Sequence, residues 1–539
     1  MKKIYTLLFA CIIAISTYAQ DLGELNPNFG TNGSITFDPS IAHDKMEKML
    51  VQKDGKIITV GGARVGGNNY SIYASRHNAD GTIDTTYGEN GIAYFKAKPL
   101  IYMNYAFDAA LSDDGMLFIT GYTFDYNNNT GFIICLDENG VENTKFGENG
   151  YVVSEYGGGI VYDAIKIDDK GRIVIAGYLN DNILVRRYNN KGKIDKTFGE
   201  EGTAIIKLDP SPYAWSYAYD LEILENGKML LTGHKVSESG IYVSYLLRLK
   251  SNGSLDNTFG NEGVLELHAG EFAEYAVSIS VQPNGKYLVA GHADLLPGES
   301  NLVRSEAYIA RVNDNGTIDN TFGDNGFVRF EPFSGDGCSN TTASILSTRD
   351  NQIFGTLYSY NALTTASRAY VYNLDANGNL KEDFAGSGIM ALPKIDEEEV
   401  TITTKSLALK DDKNLLVGGY IALDYSTKLE IFISSINIDI KDSEPETPEV
   451  PNESIEELTS SLLLYPNPVN DKLYIETQTL TLTQTLTIEI YDIYGRCQVT
   501  ETPSHQACLV IDVADLKSGV YFVKVVTSEG EAVKRIVKK

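Results

Sequence analysis

A chain of 539 residues is longer than one hydrophobic core supports, so it holds either several domains or a repeat. Its formal net charge of −27, from 72 acidic against 45 basic residues, disfavours capture of nucleic-acid phosphate and docking on anionic membranes, and leaves cation binding open. With 49 Gly and 34 Tyr the composition leans toward short strands and tight turns; five Cys without a C-x-x-C pair exclude a zinc cluster or a disulfide framework as the basis of the fold.

Lys2 and Lys3 precede an apolar run from Ile4 to Ile15 and the small-x-small site Thr17-Tyr18-Ala19. This is the pattern of a secretory signal peptide over residues 1–19. The alternative takes Leu8-Phe9-Ala10-Cys11 as a lipoprotein box, although Cys11 would interrupt the apolar segment instead of following it. No later segment has the length of a spanning helix.

From residue 25 to residue 440 one phrase returns, Leu-Asp-x-Thr-Phe-Gly-x-x-Gly, clearest from Leu255 to Gly263 and from Ile318 to Gly326. Its aromatic falls at Phe29, Tyr87, Phe146, Phe198, Phe259, Phe322 and Phe384, at spacings of 52 to 63 residues. After each phrase comes a short strand, such as Ser34 to Phe37 or Phe327 to Phe330. A longer segment then leads to a pair such as Asp54-Gly55, Asp114-Gly115, Asn226-Gly227 or Asn284-Gly285, for which two-residue hairpins with primed turns are expected. A nearly continuous apolar strand ends in Gly, as in Ile57 to Gly61 or Leu117 to Gly121, the mark of a strand covered on both faces. A fourth strand, such as Ile183 to Tyr188 or Ala307 to Val312, enters the next phrase.

Seven such units, about 59 residues each, predict an all-β fold: a seven-bladed β-propeller over residues 25–440, with a solenoid as the alternative. The last unit ends at Ile436 to Ile440 without a phrase, so Ser34 to Phe37 is expected to complete its sheet and close the ring. The aromatic reads as a plug between blades, and the two Gly as positions of positive φ or close backbone approach. Asp84, Asp195, Asp256 and Asp319, three residues before it, can accept hydrogen bonds from their own turn. The seventh copy is weakest, with Lys381 for Asp and Ala385 for Gly. The pattern resembles the delta-60 repeat family, a resemblance that implies no known activity.

Pro445, Pro448 and Pro451 among acidic residues mark an extended linker over 441–457. Residues 458–539 alternate as short strands, Lys472 to Thr477, Leu486 to Ile493, Leu509 to Val513 and Gly519 to Val526, which suggests a small immunoglobulin-like β-sandwich. Within it Leu464-Tyr465-Pro466-Asn467-Pro468, Ile488-Glu489-Ile490-Tyr491-Asp492, Gly495-Arg496, Ile511-Asp512-Val513, Gly519-Val520-Tyr521 and the basic end Lys534 to Lys539 occur in order. These residues resemble the C-terminal sorting domain of the type IX secretion system (the Por secretion system). The resemblance implies export across a Gram-negative outer membrane, the secretion machinery as partner, and a secreted or cell-surface destination. Cys497 and Cys508 either staple a hairpin there or remain two free thiols.

No metalloprotease, nucleophile-elbow, Walker or dinucleotide motif occurs. Comparing units isolates two candidate rings instead. The residue after the Gly that ends the apolar strand, or after Leu357 in the sixth unit, is Gly62, Tyr122, Tyr178, His234, His292, Tyr358 and Tyr420, either a packing layer or a polar-aromatic collar. Asp108, Asp163 and Asp220, each after an aromatic, either bond the backbone of an adjacent blade or hold a hard cation such as Ca²⁺, the one cofactor the sequence suggests. Upstream of them Tyr102, Tyr105, Tyr213, Trp215, Tyr217, Tyr219, Phe272 and Tyr275 are expected in connecting loops on one face, suited to stacking on a sugar or burying a partner's side chain. The expectation is therefore an extracellular binding module for a carbohydrate or protein ligand, without catalytic residues. An enzyme acting on extracellular polysaccharide, using Asp108, Asp163 or Asp220 with His234 and His292, is the alternative, and a purely structural envelope protein is a third.

Overall fold

The computed structural model describes residues 21–40, 43–65, 70–97, 103–124, 129–154, 159–211, 214–236, 240–270, 272–295, 304–393, 401–422, 428–441, 462–477, 487–492, 497–501, 508–527 and 530–539. The expected signal peptide and nearly all of the expected linker lie outside them. No helix among the described residues is long and apolar enough to cross a membrane. The chain divides into two compact units, Met1–Asp442 and Ser443–Lys539.

In the first unit the strands pair antiparallel in chain order. Ile160–Ile167, Ile173–Leu179, Asn182–Tyr188 and Thr203–Ile206 form one four-stranded sheet, and Trp215–Ile223 through Val264–Glu266 and Ala273–Val281 through Phe327–Phe330 repeat it. Lys45–Val51 through Ile92–Phe95 and Met103–Leu111 through Tyr151–Val153 follow the same plan, linked by one bridge between Tyr70 and Met103. In the next sheet Cys338–Thr341 and Ile345–Ser347 share the place of the leading strand. The last sheet, Thr401–Asp411, Asn414–Ala422 and Leu429–Asn437, is completed by Ser34–Phe37 in register from Ser34↔Ser434 to Phe37↔Ile431. Its third strand pairs with Asn414–Ala422 from Leu429 to Asn437, so it ends within the stretch Ile436 to Ile440 where the last unit was expected to end.

Neighbouring leading strands touch from Lys45–Val51 around to Thr401–Asp411, which returns to Lys45–Val51. The repeat therefore closes on itself as a β-propeller, and the solenoid alternative fails because first and last sheets meet. Closure is polar as well as steric. Met49 N–H donates to Ser406 Oγ (3.2 Å), Lys405 pairs with Glu47 (2.7 Å), and Ala385 N–H donates to the Leu22 carbonyl (2.8 Å).

The recurring phrase explains how sheets adhere. All seven aromatics are at most 1 % exposed. Phe29, Tyr87, Phe198 and Phe322 lie against the turn glycines Gly81, Gly140, Gly253 and Gly378 of the following repeat, where an added Cβ would come within about 3 Å of the ring. The N–H of the Gly after the aromatic donates to the same turn: Gly88 to Asn139, Gly199 to Asn252, Gly260 to Asn315, Gly323 to Asn377. Beneath each of four rings sits an ion pair that the phrase alone does not reveal: Arg76–Asp84, Arg187–Asp195, Arg248–Asp256 and Arg311–Asp319, at 2.6–2.8 Å. The guanidinium lies 4.6–4.8 Å from the ring centroid and donates to the next turn's carbonyl, as Arg187 does to Ser251 (2.7 Å). The Asp also accepts from its own turn, Thr86 N–H and Oγ1 on Asp84 for example, as expected. Where the Asp is replaced, the Arg is replaced too: Asn143 faces Cys135, and Lys381 faces Asn373, so neither of these repeats leaves a clamp guanidinium without its counter-charge.

Two local expectations change. The hairpin turns are three-residue loops, with Gly55 N–H donating to Gln52 O and Lys56 O accepting from Gln52 N–H; only Gly55 has positive φ (82°). Asp54 stays at negative φ and caps the loop through Oδ1 to Lys56 N–H, so this is a type I turn with a Gly bulge and not a primed turn. The apolar strands also run past their Gly, as Leu117–Phe124 does. At that Gly the leading strand bulges: the register slips between Ala106 and Asp108 opposite Gly121, where a Cβ would stand 1.9 Å from the Tyr105 carbonyl oxygen.

The second unit has two antiparallel sheets, Leu462–Tyr465, Lys472–Thr477 and Cys508–Asp512 in one, Cys497–Glu501, Thr487–Asp492, Gly519–Thr527 and Gly530–Lys538 in the other. They share a core of Val469, Leu473, Ile475, Ile488, Ile490, Ile511, Val523, Val525 and Ile536. Asn467 accepts from Val537 N–H (2.9 Å) and donates to Arg535 O (3.1 Å), tying the Pro-Asn-Pro turn to the last strand. Cys497 is a free thiol at the start of a strand in one sheet, and the strand of Cys508 belongs to the other, so the two strands form no hairpin to staple.

Burial would raise the Asp319 carboxyl, but Lys286, Thr321 and Arg311 hold it well below the usual carboxylate range. A depressed carboxyl contributes stability that is fully present above its unfolded value of about 4 and is lost as pH falls through its folded value. We expect Asp319→Asn alone to cost about 3 kcal/mol by stranding Arg311. The double variant Arg311→Cys/Asp319→Asn, which copies the Cys135–Asn143 pair, should recover most of that loss. Thermal denaturation at pH 7 checks this; a double variant as unstable as the sum of the single ones would contradict the clamp.

Candidate functional site

The leading strands carry the aromatics assigned above to loops. Trp215–Ile223 alternates, with Ser216 and Ala218 buried in the sheet and Trp215, Tyr217 and Tyr219 half-buried, so these rings belong to a strand. Small residues on one side and large rings on the other are the period-two signature of a strand, which outweighs the polar, Pro-containing stretch just upstream. Tyr105 lies in Met103–Leu111 and Tyr275 in Ala273–Val281, while Phe272 is 54 % exposed just before the latter. Tyr102 and Tyr213 lie outside the described residues.

Cross-strand pairing sets each leading-strand residue opposite a collar residue: Lys45↔Gly62, Tyr105↔Tyr122, Val161↔Tyr178, Tyr217↔His234, Tyr275↔His292, Thr341↔Tyr358 and Thr403↔Tyr420. The rings then meet across sheet boundaries. Tyr178 packs edge-on to Tyr217 at 4.5 Å, and His234 lies 5.2 Å from Tyr217, 5.5 Å from Tyr219 and 5.0 Å from Tyr275, which stacks on His292 at 4.9 Å. On the opposite arc Lys45 Nζ sits 5.7 Å from the Tyr420 ring, and Tyr358 is within electrostatic reach of Tyr420. The structure thus assembles the aromatic collar named from sequence, from residues in different sheets.

The acidic trio is not assembled in the same way. Asp108 Oδ2 accepts from Ile165 N–H (3.0 Å) and Asp220 Oδ2 from Ile279 N–H (2.8 Å), each on the next leading strand. Ser278 and Ser406 do the same for Ile345 and Met49. These are the backbone bonds that join one sheet to the next. Where Lys48 and Ala164 occupy the equivalent position, a lysine bridges instead: Lys48 to Asp108 (2.9 Å) and Lys166 to Glu222 (2.6 Å). Asp163 is out of register with the other two, being the bulged residue between Tyr162 and Ala164. Among the described residues no three His, Cys, Asp or Glu side chains are grouped to hold a metal ion.

Asp163 Oδ2 is buried without a hydrogen-bond partner, and so are His234 Nδ1 and His292 Nδ1 on the next two sheets. Burial pushes the Asp163 carboxyl up to about 8. Burial, with the neighbouring His292 adding to it, lowers His234 to about 4, and burial lowers His292 to about 4. At neutral pH the collar therefore holds uncharged imidazoles and a largely protonated acid. The phenols of Tyr122, Tyr178, Tyr217 and Tyr219, raised by burial, interact with Asp163 electrostatically. A carboxyl raised on folding loses stability as pH rises from its unfolded value of about 4 through about 8, because the unfolded chain ionises first. Asp163→Asn should remove that loss, so the melting temperature of the variant should exceed that of the parent increasingly from pH 5 to pH 8. Parallel curves would contradict the assignment.

The collar has one gap. A Cβ at Gly62 would meet no atom within 4 Å, whereas one at the preceding Gly61 would strike the Lys45 carbonyl oxygen at 1.9 Å. A cavity of about 510 Å³ opens there, lined by Gly62, Tyr70, Tyr105, Phe107 and Tyr122, with His43, Lys45 and Glu47 supplying polar groups. Tyr105 stacks on Tyr122 at 5.0 Å and on Tyr70 at 6.1 Å. Gly62 stands out in sequence as the one member of the ring without a side chain; Tyr70 and Phe107 carried no such signal. The clamp arginines had one, since each lies eight residues before its Asp.

Comparison with known families places this geometry in context. Residues 463–539 match the secretion system C-terminal sorting domain. Residues 52–87, 224–259 and 282–322 match a β-propeller domain of unknown function (DUF5122). The class is thus a β-propeller carrying a sorting tail. Such a tail marks export by the type IX system of Bacteroidetes-type bacteria and a secreted or cell-surface destination, and it implies an encounter with that machinery. A comparison with curated proteins found no match. Among solved structures, a protein of unknown function from Dyadobacter fermentans DSM 18053 is similar at 13 % identity, over 77 % of this chain and 100 % of that one, with a TM-score of 0.38. The β-propeller domain of the Trilobed protease from Pyrococcus furiosus is similar at 9 % identity, over 75 % of this chain and 98 % of that one (TM-score 0.39). An endo-arabinase from Bacteroides thetaiotaomicron VPI-5482 is similar at 16 % identity, over 52 % and 95 % (TM-score 0.29).

Proposed function

We propose that this chain is a seven-bladed β-propeller, of the delta-60 repeat type, with an immunoglobulin-like sorting sandwich, and that outside the cell it binds carbohydrate through the aromatic collar. The observation that carries the reading is the cavity at Gly62, where stacked Tyr70, Tyr105 and Tyr122 stand beside Lys45 and Glu47. Flat rings cover the C–H faces of a sugar, and a few charged groups orient its hydroxyls. A cavity of about 510 Å³ holds one or two sugar rings. The phenols and neutral imidazoles that continue around the ring, from Tyr178 through His234 and His292 to Tyr358 and Tyr420, offer a longer saccharide further stacking and hydrogen-bonding positions.

Six of the seven equivalent positions carry an aromatic or imidazole side chain, so Gly62→Tyr should fill the gap and leave the fold intact. In a glycan-array screen of the full chain we expect selective binding to the parent and a loss of about tenfold or more in Gly62→Tyr, with unchanged melting. Trp215→Ala then measures reach: weakened binding would extend the ligand to the opposite arc, and unchanged binding would confine it to the cavity. A blank array with a folded chain would refute the carbohydrate reading.

A further inference from the structure

We propose a second site: Asp163 and the tyrosine rings around it bind an organic ammonium cation, apart from the sugar cavity at Gly62. The inference rests on reading the chain as a binding module; it shares Tyr122 and Tyr178 with the collar but turns on a different group, the Asp163 carboxyl. Asp163 sits on a β-bulge, which turns its side chain out of the ladder, and its Oδ2 is buried with no partner. Tyr178 and Tyr217, packed edge-on to each other at 4.5 Å, and Tyr219 lie within electrostatic reach of it on the strands that follow, and Tyr122 on the sheet before. Among the described residues no cation is paired with it: Lys48 is engaged by Asp108, and Lys166 by Glu222.

Aromatic faces attract cations most strongly where water is excluded, and one carboxylate in the same enclosure supplies the counter-charge. An alkylated ammonium suits this composition because it is weakly hydrated and presents C–H groups to the rings. A bare metal ion would need several oxygens, and no group of three ligating side chains is present among the described residues. An anion would find no cationic partner there among the described residues.

Binding is an exchange. In the free protein burial holds Asp163 mostly protonated near neutrality; when the ammonium enters, the carboxyl O–H breaks, its proton passes to solvent, and carboxylate pairs with cation, so the enclosure stays neutral. The titratable groups facing Asp163 are the phenols of Tyr122, Tyr178, Tyr217, Tyr219 and Tyr245, all raised by burial and so neutral through pH 9.

The test is isothermal titration of the full chain with choline chloride at constant ionic strength, in two buffers of different ionisation heat. We expect saturable binding with release of nearly one proton per choline at pH 6, falling toward none at pH 9. Asp163→Asn, which should fold at least as well as the parent, should weaken binding about tenfold or more, and Gly62→Tyr should leave it unchanged. No saturation by about 100 mM choline, or equal affinity in Asp163→Asn, overturns the proposal. Sugar binding lost in Gly62→Tyr without any choline binding would sink this inference alone; choline binding with a blank array would sink the carbohydrate reading alone.

Discussion

The structure depends on one constraint: each sheet must adhere to the next through a surface that is mostly β-strand, and the adhesion must close a ring. A buried aromatic wedged against the following repeat's turn glycine supplies the apolar part. A guanidinium laid over that aromatic, paired with Asp and bonded to the same turn, supplies the directional part. Together they fix both distance and orientation, because an ion pair with its remaining donors engaged by backbone carbonyls tolerates little misplacement. Repeats that lose the Asp lose the Arg as well, which is what the cost of an unpaired buried charge requires.

With adhesion carried by the phrase, the leading strands are left to vary. Behind the bulge, Asp108, Asp220, Ser278 and Ser406 accept a hydrogen bond from the next strand's backbone N–H, a role that needs only a short acceptor. Ahead of it, side chains face their counterparts on neighbouring sheets and can be tyrosine, histidine, threonine or lysine without disturbing the core. Rigid repeats thus present a variable ring, which departs from its own pattern at the missing side chain of Gly62 and the unpaired carboxyl of Asp163.

Export and site are separate problems in this chain. The sorting tail has its own core and secures its last strand through Asn467, while the propeller closes through Ser34–Phe37, Ser406 and Lys405. The collar of phenols, neutral imidazoles and a protonated acid carries little charge of its own, while an overall charge of −27 keeps copies apart.

Much of the architecture was legible in sequence because it repeats. A phrase recurring every 52 to 63 residues identifies the aromatic plugs, the glycines of positive φ, and Ser34 to Phe37 as the closing strand. Composition marks six of the seven collar positions, since they follow a glycine that tolerates no Cβ; Tyr358 follows Leu357. The offset of Asp163 was legible; the bulge was not. Asp163 lies 14 residues before Gly177, whereas Asp108 and Asp220 lie 13 before Gly121 and Gly233; only strand pairing shows that the earlier position is the bulged one, so that Asp163 leaves the ladder while Asp108 and Asp220 stay in it. Nor could sequence say which rings touch, because Tyr178 meets Tyr217 and Tyr275 meets His234 only once separate sheets are brought side by side. Local periodicity determines which side of a strand a residue occupies; only the packing of sheets around the ring decides what stands across from it and whether a polar atom there finds a partner.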